Sequence, residues 1–317
     1  MTSAAGAEIA VLLMAYGSPR HPEEIEAYYT HVRRGKAPPA DLLDELVGRY
    51  AAIGGVSPLV ERTEAQATAL QSALDTRAPG ELRVVLGYKH ASPFIEDAVE
   101  GIVLSGVRRI VGLVLAPHHS AYSVGQYLER AVARAATLDP SVGFLGIERW
   151  HLEPAYLDFL AGAVRARLGE LPARTKVLFT AHSLPQRIVA DGDTYPDQLR
   201  QTAQAVATTL GLGLEGAGWD VAWQSAGRTP EPWIGPDVTE VLRQLAGSGA
   251  ADGVLVCPCG FVSDHLEILY DLDIEAQARA GELGLAFART EVVNDDGAVM
   301  GALAERVLAT VLTTSAD

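Results

Sequence analysis

Seven short apolar runs, each continuous rather than alternating, set the strongest limit on how this chain can fold. They read IAVLLMAY (9–16), LRVVLGY (82–88), IVGLVLA (110–116), VGFLGI (142–147), KVLFTA (176–181), DVAWQS (220–225) and GVLVCP (253–258). A strand with one wet face alternates polar and apolar side chains. An unbroken run needs cover on both faces, which is the condition of a parallel sheet lined by helices. Candidate cover lies between the runs, in helical patterns such as PEEIEAYYTHVRR, the stretch 64–74 and LDFLAGAVRARLGEL. The expected fold is α/β, doubly wound on parallel sheet. At 317 residues the chain is long enough for two ordinary domains, and RWHLEPAY offers a boundary between similar halves, 1–150 and 151–317.

Parallel α/β sheets bind ligands beyond the carboxyl ends of their strands. The residues that follow the runs are therefore the first place to look. They are Tyr16-Gly17-Ser18-Pro19, Lys89-His90, Pro117-His118-His119-Ser120, His182-Ser183, Ser225-Ala226-Gly227 and Cys259-Gly260-Phe261. Three of these six turns carry histidine. No G-x-G-x-x-G opens a helix and no Walker A sequence is present, which argues against a nucleotide enzyme. Ser18, Ser57 and Ser225 lie near glycine, but none forms G-x-S-x-G, which argues against a serine hydrolase.

A net charge of −15 makes nucleic acid a poor partner. Cys257 and Cys259 are the only cysteines, too few for a disulfide framework and consistent with a reducing cytosol. A single C-x-C cannot supply four thiolates, and packing is the expected role of both. The opening residues lack a basic secretory n-region and no apolar run is long enough to span a membrane, so a cytoplasmic protein is expected.

The segment SDHLEILYDLDIEAQ, 263–277, places Glu267, Asp271 and Glu275 at i, i+4 and i+8. On an α-helix these carboxylates make one stripe about 12 Å long. Arg279 is the first cation after them, and Ile268, Leu269, Leu272 and Ile274 make much of the helix apolar. Two readings stay open at this point. The macrodipole favours acids in a first helical turn, which accounts for Asp264 and Glu267 but not Glu275. Alternatively, a divalent cation compensates the stripe, with His182 adding an imidazole to a mixed N/O ligand set. A strand-end histidine also has a purely structural reading. His118 and His119, adjacent on an extended segment, point to opposite sides. Arg33-Arg34-Gly35-Lys36 either closes a helix or recognises carboxylates.

Beyond these local patterns, the chain resembles the ferrochelatases over roughly residues 9–312. The matching segments, in order, are MAYGSP, YYTHVRRGK, RYAAIGGVSPL, YKHASPFIEDAV, LAPHHSAYSVGQY, TAHSLPQRI, YPDQL, WQSAGRTPEPWIGPDV and GFVSDHLEILYDLDIE. The resemblance implies two Rossmann-like halves with a porphyrin cleft between them, and insertion of Fe²⁺ as substrate without an organic cofactor. It gives His182 and Glu267 the catalytic roles, and places His182, Glu267, Asp271 and Glu275 as metal-handling residues. Which of His182 and Glu267 is base and which is ligand stays open. His182 serves either role only when neutral, its ordinary state near pH 7 unless a carboxylate raises its pKa.

The A-Y-G at Tyr16, where protoporphyrin enzymes read N-L-G or N-M-G, resembles the coproporphyrin III branch. There the tyrosine approaches the product metal, and four propionates must be held rather than two. The resemblance assigns Tyr16, Arg33, Arg49, Tyr50, Ser57, Thr63 and Ser225 to substrate binding. Some relatives hold a [2Fe–2S] cluster with cysteines near the C-terminus, whereas this chain reads ERVLATVLTTSAD there, and no cluster is expected. The expected partners are coproporphyrin III and Fe²⁺, with transient contact to a downstream haem-pathway enzyme conceivable and a monomer sufficient. The alternatives are a protoporphyrin IX ferrochelatase, a cobalt or nickel chelatase, and a porphyrin carrier without catalysis.

Overall fold

A computed structural model describes residues 8–213 and 218–313. It contains two four-stranded sheets, parallel throughout. The first has strand order β2-β1-β3-β4, from β1 (Ile9–Ala15), β2 (Leu82–Tyr88), β3 (Arg109–Val114) and β4 (Gly143–Ile147). The second has order β6-β5-β7-β8, from β5 (Thr175–His182), β6 (Trp219–Gln224), β7 (Gly253–Cys257) and β8 (Ala286–Arg289). The apolar runs behave as their pattern requires. All seven residues of β1 and all five of β7 are buried. Each fully buried Leu, Val or Phe in such a strand stabilises the fold by about 1.5–3 kcal/mol.

The chain divides into two compact units. One comprises the described residues up to Ala116, Ser123–Arg149, and those from Asn294 onward; the other comprises Pro117–Tyr122 and Trp150–Val293. The break at Arg149/Trp150 lies beside the expected boundary, but the half expected at 151–317 is not contiguous. Helix Gly297–Thr313 packs on helix Leu59–Arg77 and on β3 and β4, so it belongs with the first sheet. Its apolar positions suit either sheet, and only the tertiary contacts decide. Strand β8, AFAR, is a second departure. It is a half-buried edge strand of four residues and lacks the Val/Ile run that marks the others.

Order reverses on either side of β1 in the first sheet and of β5 in the second, giving each a switch point at its carboxyl end. His182 is the last residue of β5, and the chain leaving β7 runs past it. That approach depends on Gly260. Its N–H donates to Thr180 O at 2.8 Å, and a Cβ there would collide with the Cβ of Ala181. Cys257 and Cys259 are fully buried, and Tyr156 Oη donates to the Cys259 carbonyl. Burial, then the neighbouring Cys257, pushes the Cys259 thiol up, so both cysteines serve packing as expected. No helix among the described residues is long and apolar enough to cross a membrane.

Candidate functional site

The second unit gathers a compact polar cluster at the end of β5. His182 Nε2 lies 3.4 Å from Glu267 Oε1, and His265 Nε2 lies 3.5 Å from Glu267 Oε2. The Glu267 carboxylate therefore stands between two imidazoles. The side chains of His182, Glu267 and His265 are 35 %, 30 % and 15 % exposed. Each ring turns its other nitrogen to a main-chain carbonyl, His182 Nδ1 to Ser183 O and His265 Nδ1 to Ser263 O at 2.9 Å. A carbonyl can only accept, so both Nδ1 atoms carry hydrogen and each ring turns Nε2 toward the carboxylate. The N···O distances exceed the roughly 2.7–2.9 Å of a tight charge-assisted bond, so charge holds the carboxylate without locking it to either ring.

His182 meets the exception to a neutral ring, a carboxylate that raises its pKa. Burial opposes charge on this ring, but the facing Glu267 carboxylate outweighs it, with further help from the Ser183 carbonyl and Asp271. The result lifts the imidazole to about 9. Burial also favours the neutral form of Glu267, against the stronger pull of His182 and His265, which hold it well below the usual carboxylate range. Near pH 7 the pair is imidazolium and carboxylate. A divalent cation that takes up either side chain as ligand must displace that proton.

The acidic stripe is not one regular α-helix. Leu266–Leu269 is α-helical, Asp271–Ala276 is a π-helical turn, and Gln277–Glu282 is α-helical again. The wide turn is seen in Glu275 N–H donating to Tyr270 O at 2.9 Å, a five-residue step. Asp271 is buried and accepts from Ser225 Oγ at 2.5 Å, while Glu275 is exposed. Ser225 itself adopts a left-handed φ of 59°, a strained conformation for serine, as it turns its hydroxyl to Asp271. The cation that balances this segment is Arg289 from β8. It grips Asp273 with two bonds of 2.6 and 2.8 Å and reaches Asp264 at 3.2 Å. Arg279 pairs instead with Glu282. Among the described residues, no group of three or more His, Cys, Asp or Glu side chains is already arranged to hold a metal ion.

The first unit carries the remaining expected residues. Tyr16 follows β1, is 41 % exposed, and lies 4.6 Å from the His90 ring. His90 is held to His31 by a 3.0 Å Nδ1···Nδ1 bond; burial above all, with Lys89, His31 and Arg130, lowers it to about 3 and keeps it neutral. Arg33 caps helix Ile25–Val32, and Gly35 (φ 82°) completes the turn by donating to Thr30 O. The helix-closing reading of this segment therefore holds. The Arg33 guanidinium also stands over Tyr29, and its buried Nε has no hydrogen-bond partner among the described residues. Arg49 is half-buried on helix Ala40–Ala52. Ser57 Oγ accepts from Leu59 N–H at 3.2 Å, so its own proton remains available to donate.

Thr63 and Tyr50 are more enclosed than the other expected residues. Thr63 is fully buried and its hydroxyl donates back to Leu59 O at 2.7 Å. Tyr50 is almost fully buried, with its phenol oxygen 3.4 Å from Ser18 Oγ. Both side chains support the segments around them. His118 turns into the second unit, where its ring bonds Thr202, while His119 is half-exposed, as their alternation requires.

Comparison with known proteins places these features. The sequence model of the family described as Ferrochelatase matches residues 8–311. The chain is 44 % identical over 303 residues to a Geobacillus kaustophilus (strain HTA426) protein named coproporphyrin III ferrochelatase, covering 94 % of each. It is 43 % identical over 305 residues to a Geobacillus thermodenitrificans (strain NG80-2) protein of the same name, covering 95 % of each. Among solved structures it resembles SirB from Bacillus subtilis with Fe³⁺, at TM-score 0.56 and 16 % identity over 98 % of both chains. It also resembles the cobalt complex of the sirohydrochlorin chelatase SirB from Bacillus subtilis subspecies spizizenii, at TM-score 0.52 and 14 % identity over 98 % of both. At those identities the structural likeness speaks for the fold.

Proposed function

The chain belongs to the ferrochelatase family, and from that premise we propose that it inserts ferrous iron into coproporphyrin III to give Fe-coproporphyrin III in haem synthesis. The observation that carries the chemistry is the His182–Glu267 pair at the end of β5. Metallation exchanges two pyrrole N–H protons for one divalent ion, so the site must take up protons and offer the ion weak, replaceable ligands. The pair suits both tasks. Once His182 has passed its Nε2 proton outward, the neutral imidazole can accept a pyrrole proton, and the loose N···O contacts leave the carboxylate free to turn. Asp271 and Glu275, running from a buried to an exposed position, form a hydrated route for iron inward or protons outward.

In this reading substrate binding falls to Tyr16, Arg33, Arg49, Tyr50, Ser57, Thr63 and Ser225. Tyr16 offers a phenol oxygen to the inserted iron, and the arginines offer guanidinium donors to propionates. The reading needs no organic cofactor and no iron–sulfur cluster, and places a monomer in the cytoplasm.

The test is anaerobic Fe²⁺ insertion into coproporphyrin III and protoporphyrin IX side by side. Preference for coproporphyrin III is the expected outcome. Preference for protoporphyrin would keep the chelatase and remove the branch, and binding without insertion would favour a carrier. In the same assay Arg33→Ala should weaken coproporphyrin III binding about 10- to 100-fold, the worth of one charged hydrogen bond. Unchanged affinity would take Arg33 out of the propionate set.

A further inference from the structure

Gln224 ends β6 and lies directly beside His182 in the β5–β6 ladder. It is 2 % exposed, and three of its polar atoms are engaged. Its main-chain carbonyl accepts from Ser183 N–H at 2.8 Å. Its side-chain nitrogen donates to Glu267 O at 3.0 Å, and its side-chain oxygen accepts from Thr180 Oγ1 at 2.8 Å. The orientation of the amide is not arbitrary. The Glu267 carbonyl can only accept, so the NH₂ end must face it and the oxygen is left for the Thr180 hydroxyl.

These bonds reach both sides of the reactive pair. Ser183, fixed through its N–H, supplies the carbonyl that orients the His182 ring. The Glu267 main chain, fixed through its carbonyl, carries the carboxylate. The strut is braced from behind by Thr180, a fully buried residue two positions before His182 on β5. We propose that Gln224 is a positioning residue for iron insertion, a buried strut that sets the spacing and orientation of His182 and Glu267, holding the Glu267 main chain through its side-chain amide and Ser183 through its own carbonyl. It touches no reacting atom and acts through both residues that do. The inference rests on the chelatase reading above.

A merely structural amide and a positioning amide differ in what their loss changes. Loss of a structural amide lowers stability and leaves the turnover of the folded fraction intact. Loss of a positioning amide lowers kcat at constant porphyrin affinity, because misplacement by about 1 Å costs on the order of 100-fold. Gln224→Met keeps the volume and removes both side-chain bonds. It is expected to lower kcat for Fe²⁺ insertion about 10- to 100-fold with coproporphyrin Kd unchanged.

Thr180 supplies the second, gentler pair of variants. Thr180→Val releases the amide oxygen and should lower kcat in the same direction by a smaller factor, whereas Thr180→Ser keeps the hydroxyl and should restore turnover. In ¹⁵N-histidine-labelled protein the His182 Nδ1–H signal should exchange faster in Gln224→Met and Thr180→Val than in the unaltered chain. If the unaltered chain inserts iron and these variants match it in kcat and exchange, the strut is refuted while the chelatase stands. An unaltered chain that binds porphyrin without inserting iron removes both. Should Gln224→Met fail to fold, equal kcat for Thr180→Val and Thr180→Ser overturns the proposal by itself.

Discussion

Replacing Glu267 with glutamine is expected to slow iron insertion about 10²- to 10⁴-fold, the span over which a positioned acid or base contributes, with little change in coproporphyrin III affinity. The glutamine would occupy the same place, because the main chain at 267 is held by Gln224 rather than by its own carboxylate. What disappears is the charge between the two Nε2 atoms. His182 loses the main influence that raises its pKa, and His265 loses its partner. The amide can neither accept a proton nor exchange it for a metal ion. Steady-state anaerobic kinetics beside a fluorescence titration with porphyrin separates the two quantities. Equal loss of turnover and affinity would make Glu267 a binding residue and leave His182 to act without it.

His182 and Glu267 were recoverable from the sequence because each stands next to a readable element. KVLFTA is an unmistakable buried strand, and the acids of 263–277 repeat every four residues. Their partner His265 was in plain view two positions before Glu267, but two residues apart on a helix point away from each other. It reaches Glu267 because it precedes the helix in a fully extended conformation (φ −160°, ψ −179°), which no composition or period announces. Gln224 was invisible for a related reason, since it reads as one more strand residue until the ladder sets it beside His182. The four-residue period also concealed the π-helical turn, for it suits a regular helix equally well. The charge on His182 depends on a 3.4 Å distance between residues 85 positions apart in the chain. Local pattern fixes which side chains are available, and tertiary contact decides their protonation.

Acid should unfold the second unit earlier than its carboxylates alone would require, because it encloses a histidine, His118, held neutral. His118 and His151 are buried, with ring centroids 5.5 Å apart. Thr202 Oγ1 donates to His151 O, so it accepts from His118 Nε2; Gln201 Oε1 accepts from His151 Nε2. The His118 ring lies in the interior beside His151 and Tyr195. Burial first, then His151, lowers His118 to about 3. Its folded pKa lies below the unfolded value of about 6.5, so the unfolded chain binds a proton that the folded chain refuses. The associated stability is complete above pH 6.5 and drains away at about 1.4 kcal/mol per unit as pH falls toward 3, about 5 kcal/mol in all. That is comparable with the whole stability of many domains, roughly 5–15 kcal/mol.

Between pH 6.5 and 5 most carboxylates remain ionised, and His182 is charged in the folded chain and increasingly so in the unfolded one, so toward pH 5 the slope comes chiefly from histidines held neutral. His90 is also lowered to about 3, and it lies in the first unit. All four tryptophans, Trp150, Trp219, Trp223 and Trp233, lie in the second. Urea unfolding followed by tryptophan fluorescence therefore reports the unit that contains His118. His118→Gln retains a donor for Thr202 but cannot titrate, and across this window it should reduce the acid slope by about one proton. A slope equal to that of the unaltered chain would mean that the His118 site admits the proton, and that His118 does not govern acid stability.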